Sequence, residues 1–400
     1  MKLSFDKKIL SLLILLIPFF KPVGISYYDM LNSIFKIWKL ISMLIIIFII
    51  LKNIYYEKKI NFDKKFLGLV IFWGIYLINT VINKSDSMSV MSNAITILVF
   101  LSFIEFEYKS NNINKILDSL NIIFTIYIII HIISVWFINI THIPIFYPIE
   151  NDYIYFLGTD NYASFQIIPM LTIIIYNNTL KKKMLSCKNI VLTLIVVLTN
   201  IYTKSYTAAL ASIVLFLALA FNKQTNKFVR KISIKNIISL YIIFLILILQ
   251  FNIQNIFQWI LEEQMGKGIT LNSRTIIWKD AIILIKNKLL FGYGTFTDEM
   301  VRAYVLFGAS HAHNFLLELL LRTGIIGTIS YIVFLIKMCT QKSNANNSSI
   351  LYAGLIDFFI LAFMDFYPDM IHFYVLIEII YYCKYIEGEE KKNEIRSSST

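Results

Sequence analysis

Residues 273–327 read SRTIIWKDAIILIKNKLLFGYGTFTDEMVRAYVLFGASHAHNFLLELLLRTGIIG. This stretch holds basic side chains, two histidines and paired glycines, and it lies between apolar blocks of the chain. Blocks of roughly 16 to 24 apolar residues are long enough to cross the hydrocarbon core of a bilayer. The stretch therefore connects membrane-spanning helices, and any polar chemistry is expected within it.

The composition places the whole chain in a lipid bilayer. Of 400 residues, 58% are hydrophobic and 16% are charged, which predicts an all-α polytopic integral membrane protein. The net charge of +12 would suit a nucleic-acid partner. However, the basic residues lie in short loops between apolar blocks, as membrane orientation requires, so no nucleic-acid partner is expected. The three cysteines predict no disulfide framework.

The apolar runs predict about 12 transmembrane helices. They lie near residues 9–24, 37–52, 66–83, 88–105, 117–139, 163–177, 189–203, 206–221, 236–252, 313–336, 350–366 and 371–385. If the amino terminus is cytoplasmic, every inside segment carries at least two basic residues, so both termini are expected in the cytoplasm. One large extracytoplasmic loop then separates the ninth helix from the tenth.

This topology divides the chain into four parts. We expect an amino-terminal transmembrane bundle (1–252), the large extracytoplasmic loop with an interfacial helix (253–312), carboxy-terminal transmembrane helices (313–386) and a disordered cytoplasmic tail (387–400).

The segment from Arg274 to Leu290 has the apolar spacing of a helix at the membrane surface. With Asn272 or Ser273 as N-cap, Arg274 would lie in the first turn, where free N–H groups and the helix dipole favour an anion. A guanidinium there would bind phosphate with two hydrogen bonds. The alternative is a solvated loop cation.

Two further cations are candidates for the same anion. Lys204 lies in an expected outside turn, against the charge trend of the other loops, and Arg302 lies near the end of the large loop. Each either helps to bind an anion beside Arg274 or is an isolated charge that the orientation tolerates.

The tenth predicted span begins with His313 and Asn314. A neutral imidazole at that level can accept a proton from a sugar hydroxyl, since its usual pKa of about 6.5 suits a general base. His311 and His313 could also be interfacial polar residues or a metal pair, although a metal site needs more ligands than the stretch offers. Glu318 and Arg322, four residues apart, are expected to pair on one helix face as support or ligand contacts.

An ordered pattern runs through these residues and resembles the carboxy-terminal signature of the O-antigen ligase and polymerase superfamily. The pattern is Ser-Arg-x3-Trp, Gly-x-Gly and then His-Asn-x2-Leu-x6-Gly-x2-Gly at the start of a span. It is carried by Ser273, Arg274, Trp278, Gly292, Gly294, His313, Asn314, Leu317, Gly324 and Gly327. The family also commonly has an arginine after the serine of an earlier outside turn. Here Tyr206 follows Ser205, and Lys204 is the candidate substitute.

The resemblance implies a fold like that of C-type glycosyltransferases and transfer of sugar at the outer face of the bacterial cytoplasmic membrane. The donor would be an oligosaccharide linked to undecaprenyl diphosphate, and the reaction would invert the anomeric carbon without a metal or other cofactor. His313 would orient or deprotonate the acceptor hydroxyl. Arg274, with Lys204 and Arg302, would bind the diphosphate, and Trp278, Asn314, Glu318 and Arg322 would support the site.

Three functions remain open on these residues. A polymerase would join lipid-linked repeat units of capsule or O-antigen, with a flippase and a chain-length regulator of the same pathway as candidate partners. A ligase would move finished glycan to lipid A-core or another acceptor. A flippase or transporter of lipid-linked sugars would more naturally place its ionisable residues at the bilayer midplane.

Overall fold

The computed structural model describes residues 6–57, 64–146, 153–181, 186–221, 224–225, 227–228, 232–251, 268–303, 305–340 and 348–398. These residues are predominantly α-helical. The helices are α1 Lys7–Leu16, α2 Asp29–Glu57, α3 Leu67–Ile82, α4 Ser87–Lys109, α5 Ile113–Thr141, α6 Asp160–Leu180, α7 Cys187–Tyr202, α8 Tyr206–Ala220, α9 Ile234–Phe251, α10 Gly268–Asn287, α11 Asp298–Arg302, α12 Phe315–Cys339, α13 Ser349–Met364 and α14 Ile371–Ser398.

Five of the described helices are long and apolar enough to cross a membrane: α2, α3, α4, α5 and α12. Four shorter apolar helices, α7, α8, α9 and α13, accompany them. Together they make a multi-pass membrane protein, while the exact number of spans stays a prediction. Helix α2 leaves side chains such as Met30, Ile37 and Phe48 exposed, as expected of a helix that faces lipid.

The centre of the bundle is formed by α6, α13 and α14. Residues 163–177 of α6 are almost all buried, as are most of α13 and residues 370–380 of α14. A helix that is apolar all round is stable only when neighbours cover it on every side. Helix α6 packs against α5, α13 and α14, and α12 packs along α3.

Helix α12 is broken at Gly324, which adopts φ +60° and ψ −165°. The segment that precedes α11 lies in this break. The backbone N–H groups of Tyr293 and Gly294 donate to the carbonyls of Leu321 (2.7 Å) and Arg322 (2.9 Å). On the other side of the break, Ile325 N–H donates to Leu289 O at 2.9 Å. The backbone groups freed by the break are thereby satisfied within the protein, as a membrane requires.

The paired glycines of this segment allow the chain to turn tightly. Gly292 and Gly294 adopt φ +75° and +68°, and a Cβ on Gly292 would approach the backbone of Arg322 to 2.7 Å. Asn79 of α3 also donates to the carbonyl of Phe291 in this connection and to that of Arg322 in α12 (3.3 Å). The connection therefore stays in contact with both α3 and α12.

Two expectations about local structure differ from what is found. The surface helix begins at Gly268, so Asn272 and Ser273 lie inside α10 and neither is its N-cap. Arg274 is consequently in the second turn, and the argument from the free N–H groups of the first turn does not apply to it. At the end of the chain, α14 continues to Ser398, where the composition predicts a disordered tail from residue 387.

Candidate functional site

The start of α12 is fixed by Asn314, which is fully buried. Its side-chain oxygen accepts the N–H groups of Leu316 (3.1 Å) and Leu317 (3.2 Å), which makes it the N-cap of α12. Its amide nitrogen donates to the carbonyl of Phe363, in the last turn of α13, at 3.1 Å. One side chain thus joins the segment before α12 to the loop that follows α13.

Glu318 and Arg322 pair as their spacing predicts, with 2.7 Å between Oε1 and Nε, and both are buried. The same two side chains also hold the segment before α12. The other Glu318 oxygen accepts Ala312 N–H at 2.7 Å, and Arg322 donates to the carbonyls of Ser310 (2.6 Å) and Gly294 (2.9 Å). The pair therefore positions the backbone on either side of His311.

A cluster of polar side chains forms where these connections meet. Asp365, in the loop between α13 and α14, lies 2.9 Å from Nε2 of His311 and 3.3 Å from Nδ1 of His313, both measured from Oδ1. Its other oxygen accepts the hydroxyl of Tyr367 at 2.9 Å. We call His311, His313, Asp365 and Tyr367 the histidine–aspartate cluster.

Charge within the cluster follows from burial and these contacts. Burial by itself raises the pKa of Asp365, but the hydrogen bonds and charges of His311 and His313 outweigh it and hold the pKa far below its usual range. Burial lowers the pKa of His311, yet the hydrogen bond that its Nε2–H donates to Asp365 and the charges of Glu318 and Asp365 leave that pKa raised. Asp365 is thus an anion at neutral pH, and it stabilises His311 as a cation.

Helix α10 brings Arg274 to this cluster. Burial lowers the pKa of the Arg274 guanidinium, and the charges of Asp365 and Tyr367 partly counteract that effect. Trp278, one turn further along, is completely buried with its ring 5.7 Å from that of Phe363. Since α13 ends one residue after Phe363, this contact fixes α10 beside the loop that carries Asp365.

Of the two other candidate cations, the structure describes the side chain of Lys204 only. Lys204 is exposed, with φ +57°, in the turn between α7 and α8. The neighbouring Ser205 donates to Asn161 of α6 at 2.7 Å, and the next residue of α6, Tyr162, lies 4.7 Å from Tyr367 between ring centroids. The turn is therefore at the same end of the bundle as the cluster. The side chain of Arg302 lies outside the described part of the structure.

The cluster also has the donor set of a metal site. The sequence predicted no metal and did not predict this arrangement. One ligand atom from each of His311, His313 and Asp365 lies within 4.8 Å of the other two. Two imidazoles and one carboxylate can bind a divalent ion and leave a position open for water. The neighbouring guanidinium of Arg274 would repel such an ion.

A cavity of about 370 Å³ opens beside the cluster. His311 and Tyr367 line it, together with residues of α3, α4, α12 and the segment that crosses the break in α12. Its volume is within the range of small-molecule sites. No local sequence pattern indicates this cavity, because its walls come from six separate parts of the chain.

The family comparison supports a membrane glycosyltransferase-like site. Residues 190–332 match the family model described as O-antigen ligase. The match confirms the resemblance to the O-antigen ligase and polymerase superfamily, whose members are membrane glycosyltransferase-like enzymes. No curated protein and no solved structure shows significant similarity to the chain.

The matched residues include Lys204, Arg274, His311 and His313, whereas Asp365 lies beyond them. Sequence reasoning missed Asp365 and assigned no catalytic role to His311. The available signal was the short acidic connection Asp365–Asp369 between two apolar runs, with Pro368 inside it. Such a connection at the expected outer face, level with His313, could have been read as part of the site.

Proposed function

We propose that the protein is a polysaccharide polymerase that joins oligosaccharide repeat units linked to undecaprenyl diphosphate at the outer face of the cytoplasmic membrane. The observation that supports this most strongly is the meeting of Arg274, His311, His313 and Asp365, which come from helix α10, the segment before α12 and the loop between α13 and α14. A cation for a leaving diphosphate and a base held by a carboxylate are the two groups that such a transfer requires.

His313 is the better candidate for the general base. Both ring nitrogens of His311 are engaged, one with Asp365 and the other with the Ser310 hydroxyl at 3.0 Å. His313 points Nδ1 towards Asp365 from 3.3 Å, and its Nε2 has no hydrogen-bond partner among the described residues. With the proton on Nδ1, Nε2 would take the proton of the acceptor hydroxyl while Asp365 stabilises the imidazolium.

The remaining steps follow from charge. The acceptor oxygen forms its bond to the anomeric carbon of the donor, the bond from that carbon to the diphosphate oxygen breaks, and the lipid diphosphate leaves with the electron pair. Attack opposite to the leaving group inverts the anomeric centre. Arg274, with Lys204 or Arg302 as a second cation, stabilises the charge that develops on the diphosphate. No step in this scheme needs a metal.

Replacing His313 tests the proposal directly. We expect His313→Asn, made in the native host, to reduce the ladder of surface glycan to single repeat units at normal protein level, because the acceptor hydroxyl loses its base. Loss of a general base typically costs about 10²–10⁴-fold in rate. Asparagine is chosen because His313 has φ +48°, a conformation that asparagine tolerates.

The matched control is His142→Asn. His142 also has a positive φ, +57°, and it caps the exposed end of α5. We expect this variant to keep the full ladder.

Full-length glycan left on the lipid carrier in His313→Asn would instead identify a ligase, and an unchanged ladder would remove His313 from the mechanism. Activity that EDTA abolishes and Zn²⁺ or Mn²⁺ restores would assign the cluster to a metal.

A further inference from the structure

The cavity of about 370 Å³ lies beside the histidine–aspartate cluster. His311 and Tyr367 form its boundary with the cluster, and Asp369 and Asn93 lie on its wall. Arg274 is not among the residues that line it, although it interacts electrostatically with Asp365 and Tyr367. The cavity therefore shares His311 and Tyr367 with the cluster, whereas the cation proposed to bind diphosphate is not part of its wall.

The charge of the cavity is unsuited to a phosphate. Three carboxylates line it, those of Asp86, Glu318 and Asp369, against the single guanidinium of Arg322. That guanidinium already donates to Glu318, Gly294 and Ser310 through its three nitrogens. A diphosphate would meet net negative charge here, whereas hydroxyl groups would meet acceptors.

Asp369 is the carboxylate best arranged to bind a ligand. One of its oxygens accepts the Asn93 amide at 3.1 Å, which holds the side chain against α4. Asp369 is exposed to solvent, but the protein atoms around its carboxyl partly desolvate it. This desolvation, together with the charge of Glu318, raises the pKa of the carboxyl. Hydrogen bonds donated by a ligand would stabilise the ionised form.

Aromatic rings supply the apolar part of the wall. Trp73 and Tyr76 are stacked, with 5.6 Å between ring centroids and 15° between ring planes. The centroid of the Phe296 ring lies 5.0 Å from Cζ of the Arg322 guanidinium. An apolar, aromatic wall with a few oriented polar groups is the usual construction of a small-molecule site, and it suits the flat apolar face of a sugar ring.

We infer that this cavity binds the terminal sugar of the acceptor, and that Asp369 recognises hydroxyl groups of a sugar ring that carries no acidic group. The inference rests on the proposed glycosyl transfer and adds to it a division of the site. The acceptor enters from the cavity, the lipid diphosphate lies on the Arg274 side, and the histidines between them receive the proton.

Direct binding tests the inference without requiring turnover. The probe is the oligosaccharide repeat unit released from its lipid by mild acid, so that it carries no diphosphate, and labelled with a fluorophore at its reducing end. Its affinity for the full-length protein in nanodiscs is measured by fluorescence anisotropy. We expect Asp369→Asn to weaken binding about tenfold or more, because a charged hydrogen-bond acceptor is lost.

A second variant fills the cavity without removing a buried group. Ser89 is exposed in the first turn of α4 and lines the cavity, so Ser89→Trp should abolish binding of the probe while the protein remains folded. Asp298→Asn, an exposed carboxylate outside the cavity, is the matched control and should bind as the wild type does. Arg274→Gln should also bind the probe normally.

Transfer from the lipid-linked unit is measured on the same samples. Unchanged probe affinity in both Asp369→Asn and Ser89→Trp would overturn the inference, as would loss of probe binding in Arg274→Gln. Probe binding that depends on Asp369 in a protein without transfer activity would retain the sugar site and reject the proposed function. If the wild type transfers sugar but does not bind the probe, the proposed function is retained and the sugar site is rejected.

Discussion

The contact between His311 and Asp365 ties protonation to the stability of the site. An aspartate whose pKa is depressed stabilises the fold above its usual pKa of 3.8, and that contribution is lost as the pH falls through the lowered value. A histidine whose pKa is raised stabilises the fold below its usual pKa of 6.5, and that contribution is lost as the pH rises through the raised value. The charged pair is therefore most favourable in mildly acidic solution.

Removing the carboxylate should consequently lower the free energy of unfolding more at pH 6 than at pH 9. We expect Asp365→Asn to lower the free energy of unfolding at pH 6 by about 1.5–3 kcal/mol, the usual contribution of a hydrogen bond to a charged group, and by less at pH 9. Thermal unfolding of the detergent-solubilised protein at the two pH values measures the difference. Asp298→Asn is the control, and an equal loss at both pH values would show that His311 does not change its protonation state between them.

Residue spacing predicted some of these contacts and could not predict others. The pairing of Glu318 with Arg322 follows from one helical turn, so the sequence was sufficient for it. His313 was identified as a base candidate from its chemistry, but its partner Asp365 lies in a different connection. Only the packing of α12 against α13, fixed by Asn314, brings the two together. Local sequence contains no information about such a long-range contact.

Among the elements, the broken helix α12 holds the segment between α10 and α12 against the helical bundle. At Gly324 the helix opens, and the segment containing Tyr293 and Gly294 donates to its carbonyls. Arg322, in the turn before the break, can then reach the carbonyls of Gly294 and Ser310. The break therefore allows one helix to hold both ends of the segment between α10 and α12.

Alanine at Gly324 should disrupt this element. A Cβ would overlap the carbonyl group of Leu290, and φ +60° is strained for any residue with a side chain. We expect Gly324→Ala to cost roughly 2–5 kcal/mol from strain and overpacking, seen as a lower melting temperature and less folded protein in membranes. Gly74→Ala in α3, where no atom lies within 4 Å of the new Cβ, should leave both unchanged.

Sequence patterns predicted the elements better than their ends. Apolar runs indicated the five described helices that are long and apolar enough to cross a membrane, because a helix satisfies its own backbone hydrogen bonds within a bilayer. The predicted start of α10 was wrong because a cap was assigned from residue type alone. The helix extends back through Ser273 to Gly268. The break at Gly324 was also missed, since glycines in a span usually indicate close packing.

For the whole molecule, the distribution of basic residues gives an orientation that the helices by themselves do not. The cluster, the turn at Lys204 and the loop from Asp365 to Asp369 lie at one end of the bundle. The basic loops predict that this end faces away from the cytoplasm. Lipid-linked glycans would then reach the site from the outer leaflet. The proposed reaction depends on this orientation as much as on any side chain.

Two cysteine positions can test the orientation in one preparation. Cys187 is exposed at the start of α7, on the side expected to be cytoplasmic, whereas Cys339 and Cys383 are buried. In spheroplasts, a membrane-impermeant maleimide should label the native protein only after the membrane is permeabilised. An Asp298→Cys variant in a Cys187→Ser background should be labelled without permeabilisation, because the exposed start of α11 is expected outside.

The reverse pattern, with Cys187 labelled in intact spheroplasts and the residue at position 298 protected, would turn the histidine–aspartate cluster towards the cytoplasm. The glycan would then be transferred before its lipid carrier crosses the membrane. A polymerase or ligase acting on exported units would be excluded, even if His313 proved essential. The labelling experiment therefore decides which side of the membrane supplies the substrate, independently of the residues that act on it.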